Sequence, residues 1–485
     1  MDVYENLKLD EAEINELADT AKDWVTLHGM IMRNNNDRKL LNYAPFMLFP
    51  SPFPRYLYEE AFSVQADLQE LVYKASCDHE FIYNALKSVI VHDEFTRKQF
   101  EIYDQVRKEG IKQKYVFNIT RSDYMINELK NPEENERLYN IKQIEMNMIA
   151  ASFGGLGSFV EKLHRYMCDV MGESAPFKKD QVATNSAIIN LGKGMAKLWK
   201  IYDKEDSVVI FVVQNGERNR FDQRLLEYNF QESVQQLGAK KHVPVLFRSL
   251  EQIHKYGKIN DDRTCFVEGQ EVALFYFRAT YTPNDYTSPE CWEARLMIER
   301  STAAKCPSMA ENLIGTKKVQ QVFAEPGIVE RFVNNPEVVK KIRKTFAGLY
   351  SLDETSEGDA AAEMALGNPS HYVLKPQREG GGNNMYDSDM VDELKRVTAT
   401  ERSQYILMER IQPPSVKNYM VHVNFDRAQL TDTVTELGIF GVLIAVDGVI
   451  VHNEPAGHLM RTKSKDQKDG GVAAGVAVLD TPYLI

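Results

Sequence analysis

The sequence predicts an α/β protein, α+β in parts, and three features carry that expectation. Ser207-Val-Val-Ile-Phe-Val-Val is a continuous apolar run, the pattern of a strand buried on both faces of a parallel sheet. Strand-like and helix-like segments alternate after it, which predicts a compact α/β unit over 205–312. Further on, the short apolar run Tyr372-Val373-Leu374 delivers Lys375-Pro-Gln-Arg-Glu-Gly-Gly-Gly-Asn-Asn, a strand followed by a charged triple-glycine loop.

Length and composition set the bounds. A chain of 485 residues suggests two or three domains, enough to bury large cores. The net charge of -12 argues against non-specific nucleic-acid binding. No apolar run approaches the roughly 20 residues that span a bilayer, so no membrane partner is expected. The segment Met1 to Asp19 is acidic and lacks a basic stretch followed by an apolar one, so no secretory signal is expected. Cys77, Cys168, Cys265, Cys291 and Cys306 are scattered and show no CxxC pairing. They read as reduced thiols, and a cytoplasmic location is expected.

In chain order, Leu9 to Met32 has helical spacing, with Ile14, Leu17, Ala18, Ala21, Trp24, Val25 and Leu27 on one face. Tyr43-Ala-Pro-Phe opens a proline-bounded connector, and amphipathic helices follow at Tyr58 to Lys74 and Asp93 to Glu109. Tyr115 to Ile119 is expected as a short strand that stops at Thr120-Arg-Ser-Asp-Tyr. Ile141 to Met148 is expected as another, ending at the turn Ala150-Ala-Ser-Phe-Gly-Gly. Inside the α/β unit come a helix from Gln223 to Leu237, the strand Val243 to Phe247, a helix near Leu250 to Tyr256 and the strand Val272 to Phe277. Met297 to Ala303 and Lys317 to Phe323 are helical in pattern, and the acidic stretch Leu352 to Gly367 carries alanines suited to a short helix. Tyr405 to Met408 and Thr433 to Ile444 read as strands, and Asp469-Gly-Gly-Val-Ala-Ala-Gly as a second glycine-rich loop.

Three consecutive glycines lack Cβ atoms and let backbone N–H groups approach an anion. Lys375 and Arg378 beside them suit phosphate charge, and Glu379 suits a magnesium ion. The order of residues excludes a P-loop and a dinucleotide fingerprint, leaving a flexible surface turn as the alternative. Glu145 and Asn147 stand two apart on an expected strand, so their oxygens share a face and could hold Mg²⁺; a solvated strand edge is the alternative. Glu436 is a lone acid in an apolar strand, a position that favours a ligand role. Arg121, Arg278, Lys317-Lys318, Arg461 and Lys463 stand beside loops and could capture carboxylate or phosphate, though each taken singly suits a solvated surface. Glu217, Arg218, Asn219 and Gln223 follow a buried strand at its carboxyl end, where ligands bind in open α/β sheets. No HExxH, no Gly-x-Ser-x-Gly elbow and no kinase signature is present. The residues alone suggest a magnesium- and ATP-using transferase or ligase.

Taken together, these segments closely resemble the eukaryotic glutathione synthetases of the ATP-grasp ligases. The resemblance runs through Tyr43-Ala-Pro-Phe, Arg121-Ser-Asp-Tyr-Met, Gln143-Ile-Glu-Met-Asn, Glu217-Arg-Asn-Arg-Phe-Asp-Gln-Arg, Gly315-Thr-Lys-Lys-Val-Gln-Gln, Lys375-Pro-Gln-Arg-Glu-Gly-Gly-Gly-Asn-Asn, Glu436-Leu-Gly-Ile-Phe-Gly-Val and Asp469-Gly-Gly-Val-Ala-Ala-Gly-Val-Ala, nearly end to end and in one order. It implies an ATP-grasp body at 1–204 and 313–485, an inserted parallel α/β substrate domain at 205–312, and a lid at about 353–415. It also implies ligation of γ-glutamylcysteine to glycine through an acyl phosphate, with ATP and Mg²⁺ as cofactors and a homodimeric assembly.

By motif, the resemblance implies Glu145, Asn147 and Glu379 as magnesium ligands. Glu145, Lys317, Lys375, Asn384, Tyr386, Glu436, Lys463 and Asp469 are expected to contact ATP, with Met408, Glu409, Arg410 and Ile411 as the adenine-facing hinge. Arg121, Ala150, Ala151, Ser152, Phe153, Glu217, Asn219, Gln223, Arg278, Tyr281, Arg461, Val472 and Ala473 are expected at the peptide and glycine sites. Arg121, Lys375 and Arg461 are the expected catalytic groups. Two departures touch substrate choice: Ala150 stands where many members carry a serine, and Arg278 is followed by Ala-Thr-Tyr, with no small acid or glycine. A ligase on the same scaffold with another donor or acceptor, or a non-catalytic binding member, are the competing readings.

Overall fold

A seven-stranded sheet forms the body of the molecule, in the order Val416–Val421, Phe46–Met47, Val478–Asp480, Val449–Ser464, Gln429–Val446, Tyr115–Lys130, Arg137–Asn147. The first and fifth of these also pair, closing five strands into a ring and leaving the last two as an extension. The computed structural model describes residues 4, 7, 9–34, 36–130 and 137–485; residues 1–3, 5, 6 and 8 of the acidic N-terminus lie outside them. Apolar faces of Gly154–Met171, Ala187–Tyr202 and Arg55–Ser76 pack on the sheet, burying residues such as Leu163, Leu191 and Leu68.

A second sheet holds the expected α/β unit. Val208–Val212 lies between Val245–Arg248 and Gln270–Phe277, parallel to both, and Ala304–Cys306 adds a further parallel strand. Val208–Val212 is wholly buried, as its unbroken apolar run requires. Gly257–Ile259 and Cys265–Val267 extend this sheet in antiparallel fashion. The third sheet, ordered Leu349–Ser351, Tyr405–Glu409, Tyr372–Pro376, Met385–Tyr386, carries its own small core of Leu352, Leu374, Met390 and Leu407 under two helices.

Three local expectations are corrected. The first helix is Glu11–Leu27, not 9–32: Gly29 takes a φ of 75°, and Ile31–Arg33 turns into a strand paired with Leu41–Tyr43. The strand from Tyr115 does not stop at Thr120 but runs to Lys130. Its polar stretch sits between two partner strands and faces the site described below, so polarity there marks function and not an end. The helix placed at Met297–Ala303 is Pro289–Arg300, started by a proline in its first turn and followed by the strand Ala304–Cys306.

Candidate active site

Strand register gathers the site. Arg121 lies opposite Asn147 and Phe440, Asp123 opposite Glu145 and Gly438, and Glu436 opposite Arg461. Side chains two apart on a strand share a face, so Arg121, Asp123, Glu145, Asn147, Glu436, Arg461 and Lys463 all project from one side of the main sheet. The third sheet and the loop of Gly380 to Gly382 stand over that side.

At its centre Lys317 Nζ donates to Glu145 Oε2 at 3.1 Å and to Glu379 at 3.1 and 3.2 Å. Burial opposes ionisation of Glu145, but Lys317, Lys375 and Arg461 outweigh it and hold its carboxyl well below the usual range. Burial raises the Glu379 carboxyl, with Glu145 adding to the rise and Lys317 opposing it. Burial likewise brings the Lys375 ammonium down to about 8, against the opposing pull of Glu145; its Nζ donates to Ile144 O at 2.9 Å. Two carboxylates and the Asn147 amide make a hard-oxygen donor set suited to Mg²⁺. Among the described residues no group of three or more His, Cys, Asp or Glu is arranged to hold a metal, so other ligands to such an ion would come from phosphate or water.

Beside this cluster is a cavity of about 240 Å³. Lys375, Asn384 and Tyr386 line one part of it, Met408, Glu409, Arg410 and Ile411 another, and Glu436, Lys463 and Asp469 a third. Every residue expected at the nucleotide except Glu145 and Lys317 is thus on its wall, and those two stand at the adjoining ion cluster. Two hinge N–H groups are already used: Glu409 N donates to Gly348 O and Arg410 N to His371 O. Asp469 joins the two glycine-rich loops, accepting from Gly382 N at 3.0 Å and Asn384 N at 3.3 Å. A Cβ on Gly381 would lie 3.1 Å from Gly471 N, so these loops meet backbone to backbone. Arg378 is corrected: it faces away from this cavity and binds Asp93 Oδ2 at 2.6 Å, anchoring the loop to the cap of the Glu94–Glu109 helix.

The residues expected at the peptide meet around the turn Ala150–Phe153. Arg278 Nη1 donates to Ala151 O at 3.1 Å and Arg121 Nη1 to Ser152 O at 3.2 Å. Glu217 accepts from Asn219 N at 2.6 Å and Gln223 Nε2 at 3.0 Å. Among the described residues, both side-chain polar atoms of Asn219, Gln223 Oε1, Arg278 Nε and Thr280 Oγ1 are buried and find no hydrogen-bond partner. Buried polar groups are seldom left unpaired, so this set points to a polar ligand. Tyr281 closes the wall, with its ring edge 3.7 Å from where a Gly380 Cβ would stand. Arg461 pairs with Glu436 and, at 3.1 Å, with Asp123; Val472 is buried nearby in the second loop and Ala473 is exposed.

Two residues that the sequence did not single out for a role, Asp123 and Asp222, and one that it did, Arg218, hold this arrangement. Asp222 accepts from Phe153 N at 2.8 Å, Gly155 N at 2.8 Å and Leu156 N at 3.2 Å, fixing the turn at a helix N-terminus. Arg218 donates to Ala473 O and to Arg33 O. Asp123, wholly buried, accepts from Arg121, Arg461 and Asn147. Asp123 had a signal, standing two residues from Arg121 on one strand; the partners of Asp222 and Arg218 are too distant in sequence to be read.

Comparison with known proteins points the same way. The family model described as "Eukaryotic glutathione synthase, ATP binding domain" matches residues 11–484. The chain is similar to glutathione synthetase of Xenopus laevis, 42% identical over 489 residues, covering 100% of this chain and 99% of the relative. It is 42% identical over 485 residues to that of Homo sapiens, covering 99% of each chain. The chloroplastic enzyme of Arabidopsis thaliana is 36% identical over 493 residues, covering 100% of this chain and 88% of the relative. A solved glutathione synthetase-like effector of Globodera pallida shares the fold with a TM-score of 0.78 at 24% identity, covering 99% of both chains.

Proposed function

The chain belongs to the eukaryotic glutathione synthase family, and we propose that it joins γ-glutamylcysteine to glycine, with ATP cleaved to ADP and phosphate. The carrying observation is the single sheet face that bears Arg121, Glu145, Asn147, Glu436, Arg461 and Lys463 beside the cavity lined by Lys375, Met408 and Asp469. The cysteinyl carboxylate attacks the γ-phosphate and releases ADP; the glycine amine then displaces phosphate from the acyl phosphate. Both steps build negative charge on oxygen, so fixed cations are the useful groups and no protein nucleophile is needed.

Lys375, Lys317 and Lys463 are assigned to the phosphates, and Met408 to Ile411 to the adenine. Glu145, Asn147 and Glu379 would hold Mg²⁺, which when bound neutralises phosphate charge. Arg121 and Arg278 orient the donor peptide, whose charged and amide groups suit the unpartnered atoms of Asn219, Gln223 and Arg278. Arg461 offers a planar fork to the glycine carboxylate, and the Val472-Ala473 backbone confines its Cα. The two clasped glycine loops keep water from the acyl phosphate.

The division into a body, a 205–312 substrate domain and a lid at about 353–415 is part of the proposal. A homodimer is supported by exposed Leu27, Leu40, Leu41 and Tyr228 around a groove lined by Gly29, Arg33 and Arg224; sedimentation at two concentrations tests it. A cytoplasmic site fits five free cysteines, and among the described residues no helix is long and apolar enough to cross a membrane. Ala150 favours one second reading, a ligase with an altered donor, because the position lacks a hydroxyl beside the peptide turn. Mass-spectrometric identification of products from ATP and glycine with γ-glutamylcysteine or a dipeptide of altered side chains decides between them, and γ-glutamylcysteine with glycine, alanine, β-alanine or serine tests the acceptor. Glycine should exceed alanine by about 5- to 150-fold, the cost of one methyl in a tight wall; equal use of alanine would favour a same-scaffold ligase with a different acceptor.

A further inference from the structure

We propose that Asp123 is the positioning residue that aims the donor arginine, the acceptor arginine and the Asn147 amide together, so that the two arginines that hold the carboxylate substrates share one counter-ion. The inference rests on the proposed synthetase reading and deepens it. Asp123 Oδ1 accepts from Arg121 Nε at 2.6 Å, and Oδ2 from Arg121 Nη2 at 2.8 Å, a two-point pairing that fixes the guanidinium plane. The second oxygen also accepts from Arg461 Nη2 at 3.1 Å and from Asn147 Nδ2 at 2.9 Å. The carboxylate is wholly buried, and these three groups are its side-chain hydrogen-bond partners among the described residues.

Two consequences follow from the donors involved. Arg121 keeps Nη1 for Ser152 O in the peptide turn, and its guanidinium lies over Phe440, 5.8 Å from the ring centre. With Nε and Nη2 already taken by Asp123, only one edge of Arg121 can meet a donor carboxylate. Asn147, by giving its nitrogen to Asp123, must turn its oxygen the other way, the orientation a hard cation requires. Asp123 therefore sets the amide flip at the proposed metal site as well as both arginines.

The opposite strand is built around it. Gly438 faces Asp123 in register, and a Cβ there would lie 2.5 Å from Asp123 Oδ1 and 2.7 Å from Arg121 Cδ. The glycine leaves room for this ion pair and for nothing larger.

Asp123→Asn is the direct test because it keeps the shape and removes the charge. Its amide nitrogen must oppose either Arg121 Nε or the three donors at Oδ2, so at least one partner is turned away in either flip. The expected signature is a rise of about tenfold or more in KM for both γ-glutamylcysteine and glycine and in the Mg²⁺ concentration for half-maximal rate, with KM for ATP within about twofold. Gly438→Ala keeps every charge and displaces Asp123 sterically, so it should give the same pattern in milder form. A merely structural role would lower the melting temperature and affect all substrates alike. Unchanged donor and glycine KM in Asp123→Asn, or equal losses for ATP, donor and glycine in both variants, overturns the proposal. Wild-type turnover in the same assay judges the function separately, since the variants are read as ratios to it; a wild type that ligates nothing overturns both.

Discussion

Lys317 Nζ donates to both oxygens of Glu379, at 3.1 and 3.2 Å. The same ammonium reaches Glu145, so one buried cation holds two proposed metal ligands. Replacing Glu379 by alanine leaves Lys317 its second partner, and the fold should persist. Turnover should fall by at least about 100-fold, the scale expected when a charge-stabilising group at transferring phosphate is removed. Kinetics at saturating magnesium and a melting curve check both halves; near-wild-type turnover would remove the metal assignment.

Lys375 carries a pH prediction. Burial lowers its ammonium to about 8, whereas phosphate binding favours the charged form. ATP affinity should therefore be steady below pH 8 and weaken above it, by roughly tenfold for each further unit, with proton uptake on binding. Calorimetry in buffers of different ionisation enthalpy measures that uptake. In Lys375→Met the slope should vanish and ATP binding should weaken far more than dipeptide binding.

Arg218 ties the second glycine-rich loop to the hairpin beside Arg33 through the Ala473 carbonyl. Arg218→Ala should free that loop and raise the KM for glycine by about tenfold or more, from the lower end of the range for losing one charged hydrogen bond upward. The KM for ATP should stay close to wild type. Steady-state kinetics with each substrate varied in turn decides it.

Asp480 gives a stability prediction far from any substrate. Burial raises its carboxyl to about 7, although Ser51, Thr462 and the Thr481 N–H bind it. A carboxyl raised above its unfolded value stabilises the fold fully below pH 4, and that contribution is lost as pH rises through 7. Asp480→Asn should flatten the fall in melting temperature between pH 4 and 7. The substitution fits, since the Ser51 and Thr462 hydroxyls can rotate to accept from the new nitrogen.

The chemistry of the site was more legible than its mechanics. Lys375, Glu379 and the triple glycine suggested phosphate chemistry, against the alternative of a flexible surface turn, and the ATP-binding family model agrees; the magnesium role belongs to the proposal. The α/β unit was legible because Val208–Val212 has no polar break. Arg378 was misassigned because its partner Asp93 lies 285 positions earlier, and no local pattern shows which way a loop arginine turns. The polar stretch Thr120 to Asp123 read as a strand end because pairing with Gly438 and Glu145 is a matter of long-range register. Asp222 was quoted within a motif without a role, since capping a helix that begins at Gly154 is visible only in three dimensions.

The central claim is ligation through an acyl phosphate formed on the donor's cysteinyl carboxylate, and oxygen transfer tests it most directly. γ-Glutamylcysteine labelled with ¹⁸O in both cysteinyl carboxylate oxygens is turned over with ATP and glycine, and the released phosphate is analysed by mass spectrometry. The account predicts one ¹⁸O in each phosphate released and one retained in the new amide. Phosphate carrying no label, with ATP consumed, would contradict it.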